Sequence, residues 1–154
     1  PDVDFFLGAR GADRLGYAHQ YFTEPETALR PYLDQGRLKT FEDGEEILPG
    51  VTAAIHPGHT PGAAFFTVRS GEDAIVFIGD AVHVSAVQLP RPGVTIVYDV
   101  VPDQASAVRR QAFDLFAHER TLVGAPHLPF PGIGRVRRDD GGYAWGPAED
   151  VDRD

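Results

Sequence analysis

The chain has 154 residues, 42% apolar and 24% charged, with a formal net charge of -9 at pH 7. This length supports one domain with its own core, and the acidic balance excludes a broad nucleic-acid surface, which needs clustered Lys and Arg. There is no cysteine, which excludes disulfides and thiolate metal sites and leaves imidazole and carboxylate as the available metal ligands.

The chain opens on Pro1-Asp2-Val3-Asp4, without methionine and without a charged, apolar leader. The expectation from this opening is a fragment of a longer protein, with the cytoplasm as the default compartment. No apolar run approaches the roughly 20 residues that cross a bilayer, so no membrane partner is expected.

Phe5 to Tyr21 mixes apolar residues with Gly8, Gly11 and Gly16 and defines no element. Thr23 to Gln35 reads as a helix, with Thr23 and Glu26 spaced as a capping box, Pro25 in the first turn and Pro31 disturbing the later part. Leu38 to Phe41 alternates as a short strand ending at the Asp43-Gly44 turn. Val51 to Ile55, Ala63 to Val68 and Ala74 to Ile78 read as successive strands, and Thr95 to Tyr98 is a short β-branched run. Asp103 to Glu119 is the clearest helix, with Asp103 as N-cap and Ala105, Val108, Ala112, Leu115 and Phe116 on one apolar face. Thr121 to Ala125 is a further strand, and Asp140-Gly141-Gly142 turns a closing hairpin between Ile133 to Arg138 and Tyr143 to Trp145. Arg135, Arg137 and Arg138 are followed at once by Asp139 and Asp140, which reads as a solvated face. This order fits a layered α/β domain.

His59, Asp80 and His127 share one feature: each lies just past the end of an apolar strand. Taken singly, each has an ordinary reading as a polar turn residue. If the three strands run the same way in one sheet, the side chains converge at one edge, a frequent place for sites in α/β proteins. Two imidazoles and a carboxylate suit Zn(II), and also Mn(II), Fe(II) or Co(II).

The motifs carry a resemblance. Pro57-Gly58-His59-Thr60-Pro61-Gly62 resembles the third metal motif of metallo-β-lactamase-fold enzymes, Ile78-Gly79-Asp80 resembles the fourth with its bridging aspartate, and His127 resembles the last histidine. Ala86-Val87-Gln88-Leu89, the segment Leu128-Pro129-Phe130-Pro131-Gly132-Ile133-Gly134 and the ending Gly141-Gly142-Tyr143-Ala144-Trp145 resemble the branch with methyl parathion hydrolase and lactonase-like hydrolases. The resemblance spans roughly Leu38 to Pro147 and implies the C-terminal half of a metallo-β-lactamase αββα sandwich.

It further implies two divalent ions, zinc first, bridged by Asp80, with His59 completing one shell and His127 the other. An activated water would attack a lactone, a carboxylic ester or an organophosphate ester. A cysteine at the bridging position, common in β-lactam-hydrolysing relatives, is replaced by Asp80. Acyl-homoserine lactonases commonly carry a substrate-contacting tyrosine where this chain has His83, which makes His83 a substrate-pocket candidate. His56 is read as shaping the turn before His59, and His118 as lying near a helix C-terminus, where a cation is favoured. Val87, Leu89, Phe130 and Trp145 are read as core rather than pocket wall.

The His-x-His-x-Asp-His motif that supplies the remaining ligands in such enzymes does not occur in this sequence, where His19 is the one histidine before the His56 to His59 turn. Two readings follow. The first is a two-metal hydrolase once the missing half is present, acting on a small-molecule ester or lactone. The second is a non-catalytic half that binds at most one metal and pairs through its open sheet face with that half or with a second copy.

Overall fold

A computed structural model of the protein describes residues 1–8 and 20–148. His19, and most of the segment between Phe5 and Tyr21 that the sequence left undefined, lie outside the described residues. Two helices come first, α1 (Asp2–Leu7) and α2 (Gln20–Asp34), followed by strands β1 (Glu46–Leu48), β2 (Val51–Ile55), β3 (Ala64–Ser70) and β4 (Asp73–Phe77). A 3-10 turn at Gly79–Ala81, the short helix α3 (Ser85–Gln88) and the long helix α4 (Pro102–Glu119) lead to β5 (Leu122–Gly124) and the hairpin β6 (Ile133–Asp139) and β7 (Gly142–Pro147).

All seven strands form one sheet in chain order. Neighbours pair antiparallel except β4 and β5, which are parallel. A parallel pair needs a long crossover, and α3 and α4 occupy it. Since β2 and β4 both run antiparallel to β3, they share a direction, and β5 shares it with β4. Their C-terminal ends therefore lie on one sheet edge, the arrangement the sequence reading required.

Helix α4 covers one face of the sheet. Pro102 occupies its first turn, where a missing N–H is harmless. The N-cap is Val101 rather than Asp103, which sits two residues further in, in the first turn, and favours the positive helix end instead. Ala105, Ala112 and Phe116 are buried as expected, but Leu115 is 49% exposed, and the buried stripe instead runs through Arg109 and Phe113. Phe113 is 1% exposed and meets the Tyr143 ring edge-on at 5.4 Å, within a core that also holds Phe65, Val123 and Val136. Leu89 is buried there and Trp145 packs against it, whereas Phe130 is 94% exposed and is no part of the core.

The opposite face carries Phe66 paired with Phe77, and Val68 paired with Ile75, which in turn faces Leu122. These side chains are only half-buried, and Phe77 is exposed. Val76 and Val123, one residue out of phase, point into the core under α4.

Two further local expectations fail. Leu38 to Phe41 forms no strand; the Phe41 ring instead packs against Phe66 at 5.8 Å, so burial of one ring replaces a ladder. Strand β1 lies further on and pairs with β2 across the Pro49-Gly50 turn. Thr23 is inside α2 rather than at its cap, and both Pro25 and Pro31 lie within the helix. Phe22 is buried against Phe5 and Phe6, with ring centroids at 5.6 and 6.1 Å. Tertiary packing of this kind outweighs the hydrogen bonds that two prolines remove.

Phe113→Ala should lower unfolding free energy by about 3–5 kcal/mol, since it empties a fully buried ring site, and Leu115→Ala by less than about 1 kcal/mol. Urea denaturation of the two variants measures both, and equal losses would contradict the packing face described.

Candidate metal centre

Each side chain at the sheet edge is placed by a distinct local device. His59 sits in the turn after β2. Gly58 has φ of +144°, and a Cβ there would lie 2.3 Å from the Ala105 backbone nitrogen, so only glycine lets the turn rest on the start of α4. The Val100 and Val101 amides donate to the His59 and Gly58 carbonyls, at 3.0 and 2.9 Å. On the other side Asp2 accepts from the Gly62 amide at 2.6 Å and from the Thr60 hydroxyl at 2.8 Å. His56 stacks on Phe65 at 4.0 Å, consistent with its shaping role.

Asp80 lies in the 3-10 turn that ends β4, entered through Gly79 at φ +49°. His127 follows β5 in the loop beyond Ala125. His83 is held from its backbone: the buried Gln88 side chain accepts from the His83 and Val84 amides at 2.8 and 3.0 Å and donates to the Val94 carbonyl at 3.2 Å. The Ala86 to Leu89 segment thus contributes Gln88 as a brace.

The side chains meet at the Asp80 carboxylate. His59 Nε2 lies 3.4 Å and His83 Nε2 3.7 Å from its Oδ2, while His127 Nε2 lies 3.3 Å from its Oδ1. The His83 ring stacks on His127 at 4.4 Å and leans on His59 at 5.0 Å. The structure thus brings all four sequence candidates, His59, Asp80, His83 and His127, into one cluster. Ligand atoms of His59, Asp80 and His83 lie within 4.8 Å of one another, a spacing that fits a metal ion.

The electrostatics favour positive charge beside Asp80, here carried by the His59 proton, which a bound ion would have to displace. Contact with His59 pulls Asp80 down to about 2 against the opposing effect of burial. Burial disfavours the His59 imidazolium, but hydrogen bonds and charge from Asp80 and Asp99 outweigh it and raise this group to about 9. Burial lowers His83, with Asp80 opposing and the neighbouring histidines adding to the effect.

The sequence reading missed Asp99 and Arg109. Asp99 Oδ1 lies 3.1 Å from His59 Nδ1, while its Oδ2 accepts from the Ile96 amide at 3.1 Å and from Arg109 at 3.4 Å. A carboxylate on Nδ1 holds that nitrogen protonated and leaves Nε2 turned toward Asp80, the support that a ligating histidine would need. Arg109 in turn donates to the Ala81, Pro92 and Val94 carbonyls at 2.6, 2.9 and 2.7 Å. Arg109 lies on the buried stripe of α4, and a charged residue at such a position was the available signal.

A cleft of about 370 Å³ opens over the cluster, walled by Phe5, Phe6, Tyr21, Phe22 and Tyr98 and floored by the histidines and Asp80. Helices α1 and α2 therefore serve the site as well as the packing.

No protein-family model and no curated protein matches the sequence. Solved structures do. A hydrolase named AbOPH of the beta-lactamase superfamily is 35% identical and superposes with a TM-score of 0.89 over 97% of this chain and 53% of its own. AidC, a dizinc quorum-quenching lactonase, is 25% identical with a TM-score of 0.79, over 97% of this chain and 50% of its own. A probable metal-dependent hydrolase from Staphylococcus aureus shares the fold at 23% identity and a TM-score of 0.59, over 75% of this chain and 42% of its own. The chain has the fold of these beta-lactamase-superfamily hydrolases. It spans about half the length of the AbOPH and AidC structures.

Asp99→Ala should weaken binding of a divalent ion by about 10- to 100-fold, because His59 loses the group that sets its tautomer. Calorimetric titration with Zn(II) measures this, and unchanged affinity would remove Asp99 from the site.

Proposed function

We propose that this chain is the C-terminal half of a two-metal hydrolase acting on lactones, carboxylic esters or organophosphate esters. In this reading an N-terminal half with a His-x-His-x-Asp-His motif completes the metal centre. The observation that carries it is the division of labour at Asp80: one carboxylate oxygen faces His59 and His83, the other His127. A carboxylate so flanked is suited to bridge two ions. The donor set of imidazole nitrogen and carboxylate oxygen suits zinc, and also manganese, iron or cobalt. The AidC and AbOPH descriptions, a dizinc lactonase and a hydrolase, point the same way.

When bound, the ions supply Lewis acidity and lower the pKa of water toward neutrality. The chain's own residues set the geometry. Asp80 would hold both ions, Asp99 fixes the His59 ring, and the aromatic wall would offer an apolar surface to the substrate and limit water around the reacting group. The half-buried apolar sheet face with Phe66 and Phe77 supports the second part of the reading. It has the character of a surface that a second sheet covers.

The isolated chain, without the His-x-His-x-Asp-His motif, should not turn over a panel of esters and lactones. Joined to its N-terminal half it should, and Asp80→Ala there should reduce kcat/KM by about a thousandfold, roughly 4 kcal/mol of transition-state stabilisation. Full activity of the Asp80→Ala protein would overturn the hydrolase reading, and turnover by the pure isolated chain would overturn the half-site reading.

A further inference from the structure

We propose that the Oδ2 side of Asp80 is a complete three-donor site within this chain for one divalent transition-metal ion, with His83 as its third ligand beside His59 and Asp80. It rests on the metal-centre part of the reading above and not on hydrolysis. It replaces the substrate contact that the sequence suggested for His83.

The first observation is spacing. Two donors bound to zinc at about 2.0–2.1 Å in tetrahedral geometry lie about 3.3 Å apart. His59 Nε2 and His83 Nε2 approach the same oxygen, Oδ2, at 3.4 and 3.7 Å, and the three donor atoms fall within 4.8 Å of one another. His127 faces Oδ1 and is no member of that set.

The second is the state of the His83 ring. Its side chain is only 16% exposed, and among the described residues its buried Nδ1 has no hydrogen-bond partner. Nε2 stands at 3.7 Å from Asp80, beyond hydrogen-bond length. Nε2 is thus the nitrogen turned to Asp80, at a separation that leaves room for an ion between Nε2 and Oδ2.

The third is rigidity. Gln88 clamps the His83 backbone, and the ring lies stacked on His127 with planes 20° apart. Asp99 fixes His59. Two of the three donors are therefore positioned before any ion arrives, which limits the ordering that binding requires. Among the described residues the Oδ1 side has His127 as its one histidine neighbour.

The test is a titration of the chelator-stripped 154-residue chain with Zn(II) by calorimetry and with Co(II) by visible absorption. One ion per chain is expected. His83→Ala should weaken it by at least about 10-fold and change the Co(II) spectrum, while His127→Ala should shift this first binding event by less than about threefold. Zn(II) should also move the His83 Nε2 resonance in a long-range proton–nitrogen spectrum of the unmodified chain, a readout free of any folding defect in the variants. If His83→Ala binds like the parent, or if the His83 resonance stays in place, the assignment falls. Loss of binding in Asp80→Ala in that case would leave the metal-centre reading standing. Absence of any bound ion in the parent chain would overturn both.

Discussion

The buried pair of Arg109 and Asp99 organises the rest of the molecule. Both side chains are withdrawn from water, which for two charges is tolerable only when each is paired and fully hydrogen-bonded. Arg109 meets this requirement by collecting the Ala81, Pro92 and Val94 carbonyls as well as Asp99. Those partners lie on the turn that carries Asp80 and on the irregular segment between α3 and α4. Asp99 then passes the constraint to His59. One guanidinium thus joins the helix on the sheet to the turns that carry Asp80 and, through Asp99, His59, and it orders a stretch of backbone that has no ladder of its own.

The second organising feature is strand direction. A β2–β3–β4 meander followed by a parallel β5 brings three C-terminal strand ends together. Residues separated in sequence by about twenty and about fifty positions, His59, Asp80 and His127, become neighbours through this topology. The cluster sits at the edge, where the backbone leaves the ladder and loops are free to present side chains.

Much of this was legible in the sequence. Apolar runs bounded by Gly-Asp, Pro-Gly and Gly-Gly turns marked β2 to β7, because a strand buried on the sheet has few alternatives to such a pattern. The spacing of His59, Asp80 and His127 after those runs pointed to a shared edge. Other features were hidden. Leu38 to Phe41 has strand alternation but pairs with no strand among the described residues, and its Phe41 ring packs on Phe66 instead. Phe130 is apolar by composition yet lies almost wholly in solvent.

What the sequence determined by itself is the class of donors, imidazole and carboxylate with no thiolate, and the run of strands and helix that carries them, because both depend on residue type and local period. Only the tertiary structure decided that Asp99 and Arg109 belong to the site, that Asp2 and the aromatic helices α1 and α2 frame it, and that His83 and His127 address different oxygens of Asp80. These are contacts between segments far apart in the chain. They depend on the angle and register at which elements pack, which no local pattern encodes.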